Sequence, residues 1–224
     1  MQRFALHFLH AVWLMATLCQ PSLAQDRPVN SPESLRDFKK HCTSAELSSK
    51  AIIKNCSIFI DRGWLSGEHL AEAYNSRGIG YDEDGQADLA ISDYRRSIEL
   101  NPNQSNAYHN MAVLYVGRGD LPLALKFFDE AIARGAVNVG VRTRRGLVLL
   151  RLTRYTEAIE VFDAIIRENP QHFGAHYLRG VAKKRSGDGA GGDADIVQAR
   201  KLGEADRKVY DFVIRDFEAQ GLKP

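Results

Sequence analysis

The stretch AYNSRGIGYDEDGQADLAISDYRRSIELNP, residues 73–102, contains two amphipathic helical patterns with a break between them. Apolar and small residues recur every three or four positions as far as about Asp82, and again over the second half of the stretch. The Asp-Gly pair that ends at Gly85 is typical of a turn. Pro102 cannot continue a helix, so the second pattern ends before it. The stretch therefore predicts two helices joined by a tight turn.

The same pattern returns at steps of 34 residues along the chain. Small residues recur where small residues stood, and large apolar residues recur where large ones stood, although the last unit matches least well. A fixed period of this length is typical of stacked repeat proteins. The three clearest series are Gly78, Ala112, Gly146, Gly180; Ala90, Ala124, Ala158, Gly192; and Tyr94, Phe128, Phe162, Ile196.

The period, the residue types and the proline stop resemble the tetratricopeptide repeat family. That resemblance implies an all-α fold, an α-solenoid of antiparallel helix pairs, whose first helices line a concave groove that binds extended peptides or partner elements. The residues that carry it are Tyr74, Gly78, Tyr81, Ala90, Tyr94 and Pro102; Tyr108, Ala112, Tyr115, Ala124, Phe128 and Ala131; and Gly146, Leu149, Ala158, Phe162 and Pro170.

Repeat arrays need ends that cover their exposed apolar faces. We expect Val209, Phe212, Val213 and Phe217 to form the inward face of the last helix. The predicted organisation is a signal peptide at 1–24, a linker at 25–36, N-terminal capping helices from a degenerate repeat at 37–70, repeats at 71–104, 105–138 and 139–172, a degenerate fourth repeat at 173–206, and a C-terminal capping helix at 207–224.

The N-terminal stretch MQRFALHFLHAVWLMATLCQPSLAQ, residues 1–25, has the form of a secretory signal peptide. Arg3 is its only charge, an apolar run follows, and small residues precede a cleavage site after Ala24. The alternative, an uncleaved anchor, is disfavoured because the run is short and contains two histidines. The sequence predicts a periplasmic or secreted protein with no stable membrane insertion after cleavage.

Cysteine usage agrees with export. Cys19 leaves with the signal peptide, so the mature chain keeps Cys42 and Cys56. An even count in an exported protein favours one disulfide, and two free buried thiols are the alternative.

The stretch GDGAGGDAD, residues 187–195, contains a G-x-G-x-x-G pattern and raises the possibility of a nucleotide or calcium loop. The 34-residue step instead places Gly187 at the turn position of Gly85, and Gly192 at the small position of Ala90. The preceding segment has a helical pattern, whereas a dinucleotide loop follows a strand. We interpret the stretch as a turn between two helices.

Other signs of chemistry are weak. His172 and His176 are four residues apart, but no further ligand accompanies them at a metal-binding spacing. No hydrolase or metalloprotease motif occurs, and a net charge of +2 does not favour nucleic-acid binding. The sequence predicts a non-catalytic protein with no cofactor, no metal and no nucleic-acid partner.

The resemblance implies a protein or peptide partner in the groove. Two positions, Asn110 and Arg144, match the carboxylate clamp of some family members, but the clamp lysines are missing, so we expect no recognition of chaperone tails. The second hypothesis is a ligand-binding or enzymatic module that uses Lys183, Lys184 and Arg185 before the glycine-rich turn. By repeat position, the residues expected to line the groove are Glu72, Asn75, Ile79, Asn106, His109, Asn110, Val113, Arg144, Leu147, Arg151, Tyr177 and Lys184.

Overall fold

A computed structural model describes residues 28–44 and 46–224, which form helices and no strand. The predicted signal peptide lies outside the described residues. A short 3-10 turn, Glu204–Asp206, precedes the last helix. The helices are α1 (Pro32–Cys42), α2 (Ser49–Asp61), α3 (Gly67–Glu83), α4 (Ala87–Leu100), α5 (Ser105–Gly117), α6 (Leu121–Ala133), α7 (Val139–Arg151), α8 (Tyr155–Glu168), α9 (Phe173–Arg185), α10 (Gly189–Gly203) and α11 (Arg207–Ala219).

Each helix packs against the next one along the chain, and helices two apart also touch, as α3 does with α5 and α7 with α9. The first helices of successive pairs therefore lie side by side, as stacking of repeats requires. The predicted all-α solenoid of antiparallel helix pairs is confirmed.

Glycines in the first helices allow the paired helices to approach closely. A Cβ atom added at Gly78 would lie 2.6 Å from Cε1 of Tyr94, and one added at Gly146 would lie 2.6 Å from Cζ of Phe162. Both rings are almost completely buried. The large side chain of the second helix therefore fills the space that the glycine leaves.

The turn after each first helix has one repeated geometry. Its central residue has a positive φ in all five cases, a conformation that favours glycine. In each turn, the next residue donates its N–H to a carbonyl near the end of the preceding helix, as Gln86 does to Tyr81 at 2.8 Å and Asp188 to Lys183 at 2.9 Å. The central residues and their φ angles are Gly85 (77°), Gly119 (78°), Thr153 (59°), Gly187 (101°) and Gly221 (79°).

The N-terminal pair forms its own small core and contains the predicted disulfide. Ser31 caps α1 by accepting the N–H of Ser34, and the helix begins at Pro32. Cys42 and Cys56 are bonded, with their Cα atoms 5.0 Å apart. The bond joins the end of α1 to the middle of α2, next to the buried ring of Phe38.

The last helix, α11, corresponds to the start of a further repeat. Its residues are those of α9 shifted by 34, and this step places Tyr210 and Phe217 on the two aromatic positions of a first helix. Both are buried, whereas Val209 and Phe212 are 47% and 69% exposed. The expectation that Val209 and Phe212 face inward is therefore wrong, because the repeat positions, and not the apolar residues alone, determine the buried face.

Among the described helices, none combines the length and the apolar character needed to cross a bilayer.

Candidate functional site

The candidate site is the face formed by the first helices α3, α5, α7 and α9, which we call the groove. The predicted lining residues differ in how far they reach solvent. Asn106, Arg144 and Arg151 are exposed, while Asn75 and Tyr177 are buried. The half-buried ones are Glu72, Ile79, His109, Asn110, Val113, Leu147 and Lys184.

An apolar pocket lies in the groove between α5 and α7. Arg144, Leu147 and Arg151 lie three and four residues apart, so they share one face of α7. The two arginines therefore flank the pocket, and Leu147 contributes to its floor. The residues around it are Val113, Val116, Phe128, Arg144, Leu147, Val148, Arg151 and Gln220.

Neither arginine of the pocket has a carboxylate at ion-pair distance among the described residues. Nearby arginines do, since Arg142 bonds Glu168 at 2.7 Å and Arg145 bonds Asp129 at 2.6 Å. Both of those ion pairs lie away from the pocket. Arg144 and Arg151 thus remain available to an acidic group brought by another molecule.

Beside the pocket, the groove carries polar side chains on α3 and α5. Asn110 donates its side-chain N–H to the side-chain oxygen of Asn75 at 3.0 Å, so these two amide groups are hydrogen-bonded to each other. The ring of His109 lies 5.9 Å from that of Phe128. Burial lowers the pKa of His109, a hydrogen bond with Asn110 opposes that shift, and the charge of Arg144 lowers the pKa further.

Tyr177 lies on the groove face of α9, but it is only 2% exposed because the C-terminal segment covers it. Its ring stacks on Phe217, with centroids 6.1 Å apart, and its hydroxyl donates to the carbonyl of Leu222 at 3.4 Å. Burial raises the pKa of Tyr177, and the carboxylate of Glu218 adds to the effect. The expectation that Tyr177 is an open lining residue is therefore wrong.

The cations of the fourth repeat are already engaged within the chain. The ammonium group of Lys183 lies 2.9 Å from Asp195, and that of Lys184 lies 2.6 Å from Asp193. Lys184 packs its aliphatic stem against Gly192 on α10, so it does not line the groove as expected. Arg185 donates to the carbonyl of Gly221 at 2.6 Å.

The glycine-rich stretch has a structural role in α10. Asp188 caps this helix by accepting the N–H of Gly191 at 2.9 Å, which places a carboxylate where a phosphate would bind. A Cβ atom added at Gly192 would lie 2.7 Å from the carbonyl oxygen of Gly180, so the glycine lets α10 approach the backbone of α9.

His172 and His176 are engaged by the backbone. Nδ1 of His172 accepts the N–H of Ala175 at 3.0 Å and so caps α9. Nε2 of His176 lies 3.0 Å from the carbonyl oxygen of Pro170. No cluster of three or more potential metal-ligating side chains occurs in the part of the chain that the structure describes.

Sequence reasoning missed two ion pairs between paired helices. Arg77 bonds Asp93 at 2.7 Å across α3 and α4, and Arg179 bonds Asp195 at 2.7 Å across α9 and α10. In both cases the partners are 16 residues apart, and the two pairs are three repeat lengths apart. Applying the 34-residue step to charged residues as well as apolar ones would have found them.

Comparison with known proteins gives the family of these helix pairs. Tetratricopeptide-repeat family profiles match residues 71–104, 93–126 and 143–189. The chain contains tetratricopeptide repeats.

Relatives with this repeat occur in several settings. The chloroplastic tetratricopeptide repeat domain-containing protein PYG7 of Arabidopsis thaliana is 29% identical over 42% of this chain and 31% of its own length. Hsp70-Hsp90 organizing protein 3 of the same plant is 26% identical over 51% of this chain and 20% of its own length. The match therefore spans a third or less of these two relatives, and it concerns the repeats.

Solved structures of MamA have the same fold. The MamA AMB-1 structure superposes with a TM-score of 0.65 and 19% identity, over 77% of this chain and 92% of MamA. At this identity, the similarity is one of tetratricopeptide solenoid architecture.

Proposed function

We propose that this protein is a non-catalytic scaffold or adaptor that binds a segment of a partner protein in its groove. The observation that carries the proposal is the apolar pocket between α5 and α7, flanked by Arg144 and Arg151. Tetratricopeptide repeats and relatives such as the Hsp70-Hsp90 organizing proteins support a role in protein interaction.

The pocket favours a segment with one apolar side chain close to a carboxylate. Val113 and Leu147 offer the apolar side chain a partly dry surface, and burial of that side chain supplies most of the affinity. A carboxylate beside it would receive charge-assisted hydrogen bonds from Arg144 or Arg151. The charges would also orient the segment and speed its association.

Recognition of a chaperone tail does not follow from the likeness to the Hsp70-Hsp90 organizing proteins. Asn75 and Ile79 stand at two further positions that correspond to the clamp. Asn75 and Asn110 bond each other, and Ile79 supplies no polar group. We propose that the groove binds an internal or differently shaped segment. Tight binding of a free acidic C-terminal peptide, lost in Arg144→Ala, would contradict this.

We also propose that the protein acts after export, in a periplasm or outside the cell. The N-terminal sequence supports this proposal, as does the bond between Cys42 and Cys56, since disulfides persist in oxidising compartments.

The groove proposal is tested with the full-length protein, tagged and expressed in the cells that make it. Leu147→Asp places a charge in the floor of the pocket, whereas Lys126→Asp changes the exposed outer face of α6 and serves as the matched control. We expect Leu147→Asp to reduce recovery of a stoichiometric partner at least tenfold, and the control to retain it. Equal recovery by both variants would exclude the groove as the binding surface.

A further inference from the structure

The groove is open along α5 and α7 but closed along α9 by the C-terminal segment of the chain. Val113 and Leu147 are partly exposed. Val181, at the equivalent position of the fourth repeat, is 0% exposed, and Tyr177, one helical turn before it, is 2% exposed. Phe217 and Leu222 lie over this part of the groove, and Gln220 reaches the edge of the open pocket. The segment 207–224, which we call the tail, is thus continuous with the candidate partner site.

Three hydrogen bonds from α9 reach main-chain carbonyls of the tail. The hydroxyl of Tyr177 donates to the carbonyl of Leu222 at 3.4 Å. The guanidinium of Arg185 donates to the carbonyl of Gly221 at 2.6 Å and to that of Lys223 at 3.1 Å. Carbonyl oxygens belong to every peptide, so these donors can serve a segment of another protein equally well.

Leu222 departs from the repeat pattern at its position. The residue after the turn is polar and exposed in the preceding units, as at Gln86 and Asp188. Leu222 is apolar and 0% exposed. The turn at Gly221 directs it back against the helix, since the Leu222 N–H bonds the Phe217 carbonyl at 3.0 Å. Leu222 is therefore an apolar anchor held between main-chain contacts.

The helix of the tail packs on the repeats with one side only. Only three of the 13 residues of α11 are buried, compared with eight of 13 in α9. Val209 and Phe212 remain exposed on its outer side. A helix that packs on one side only can separate while the repeats beneath it stay folded.

We propose that the tail is an intramolecular occupant of the groove, which a partner segment displaces by placing its own apolar anchor in the site of Leu222. This inference rests on the proposed function, because the displaced surface and the open pocket form one groove. The partner class is an extended peptide with an isolated leucine-like side chain and free carbonyl groups on either side of it.

The test uses the full-length protein and a labelled synthetic peptide of residues 207–224. Leu222→Asp puts a charge in the buried anchor site and should release the tail. We expect this variant to bind the peptide at least tenfold more tightly than the wild type, because the covalently attached tail competes at a high effective concentration. Phe212→Asp, on the exposed side of the same helix, should bind it as the wild type does.

A second variant tests whether the gain in peptide affinity comes from release of the whole tail and not from the change at Leu222 alone. Phe217→Asp removes the ring that stacks on Tyr177 and should produce the same gain, while circular dichroism shows whether the repeats stay folded. Equal peptide affinity for the wild type and both tail variants, with the fold intact, would overturn the proposal.

Failure of this inference can be separated from failure of the proposed function. If Leu147→Asp abolishes partner recovery while the tail variants bind the peptide no better than the wild type, the groove function stands and the tail proposal is wrong. If the tail variants gain peptide binding and Leu147→Asp has no effect on partner recovery, the tail occupies its site on α9, but the groove function and the displacement of the tail by a partner are both wrong.

Discussion

At the scale of single residues, the most informative position is the turn after each first helix. Four of the five turns have glycine at the residue with positive φ, and the third has Thr153 at a φ of 59°. A β-branched residue is strained in this region because its Cβ crowds the following carbonyl. The third repeat therefore carries local strain that the other turns lack.

Replacing Thr153 with glycine should stabilise the protein. Relief of the strained backbone exceeds the greater flexibility of glycine in the unfolded chain, for a net gain of about 1 kcal/mol. The midpoint of thermal unfolding should rise accordingly. The reverse change, Gly119→Thr, is the matched control and should lower the midpoint; a rise with Gly119→Thr would show that this turn tolerates side chains.

At the scale of helices, close approach depends on individual glycines. In the glycine-rich stretch, a Cβ atom at Gly192 would collide with the backbone of α9, whereas one at Gly189 would meet nothing within 4 Å. The two glycines lie in the same helix and have opposite surroundings.

Substitution of these two glycines should therefore give opposite results. Gly192→Ala should destabilise the fourth repeat by roughly 1–3 kcal/mol, the usual cost of overpacking. Gly189→Ala should be neutral or slightly stabilising, because alanine favours the helix. Denaturant unfolding of each variant checks this, and a loss of stability at Gly189 as large as that at Gly192 would point to a role beyond packing.

The ion pair between Arg179 on α9 and Asp195 on α10 makes the free energy of unfolding depend on pH in the acid range. Burial alone would raise the pKa of Asp195, but hydrogen bonds from Arg179 and Lys183 outweigh it, so the pKa lies below its usual range. Nδ1 of His176 also faces the carboxylate, at 3.9 Å. A carboxyl with a depressed pKa stabilises the fold above its unfolded pKa of about 4 and loses that contribution as the pH falls through the folded pKa.

We expect the free energy of unfolding to fall below about pH 4, and to fall less steeply in Asp195→Asn. At neutral pH this variant should be less stable by up to about 3 kcal/mol, since Arg179 keeps only Asp163 as a partner. Unfolding curves between neutral and acid pH measure both effects. An unchanged acid slope in the variant would show that other carboxyls cause it.

At the scale of the whole molecule, the solenoid could be predicted from the sequence because repetition multiplies a weak signal. One glycine facing one tyrosine means little, but Gly78 and Tyr94 recur as Gly146 and Phe162 at the same spacing. The residues that line the open part of the groove could be predicted from the same 34-residue step. The covering of Tyr177 could not be predicted this way, because the 34-residue step gives α11 the residue pattern of a further first helix but not the contacts that Phe217 and Leu222 make with Tyr177.

Processing of the N-terminus is a separate prediction for the whole molecule. The mature protein should begin at Gln25 and should be lighter than its reduced form by two hydrogen atoms, because Cys42 and Cys56 are bonded. Intact-mass measurement of protein from its native cells checks both statements. A mass that includes residues 1–24, or two alkylatable thiols without prior reduction, would contradict export.

Binding of a partner in the groove is the central claim, and photocrosslinking in cells tests it most directly. A photoreactive residue is placed at Val113 or Leu147 in the pocket, and at Lys126 on the exposed outer face as the control. We predict one dominant protein adduct from the two pocket sites and none from Lys126. Adducts that form equally at all three sites, or at none in cells where the protein is abundant, would contradict the claim.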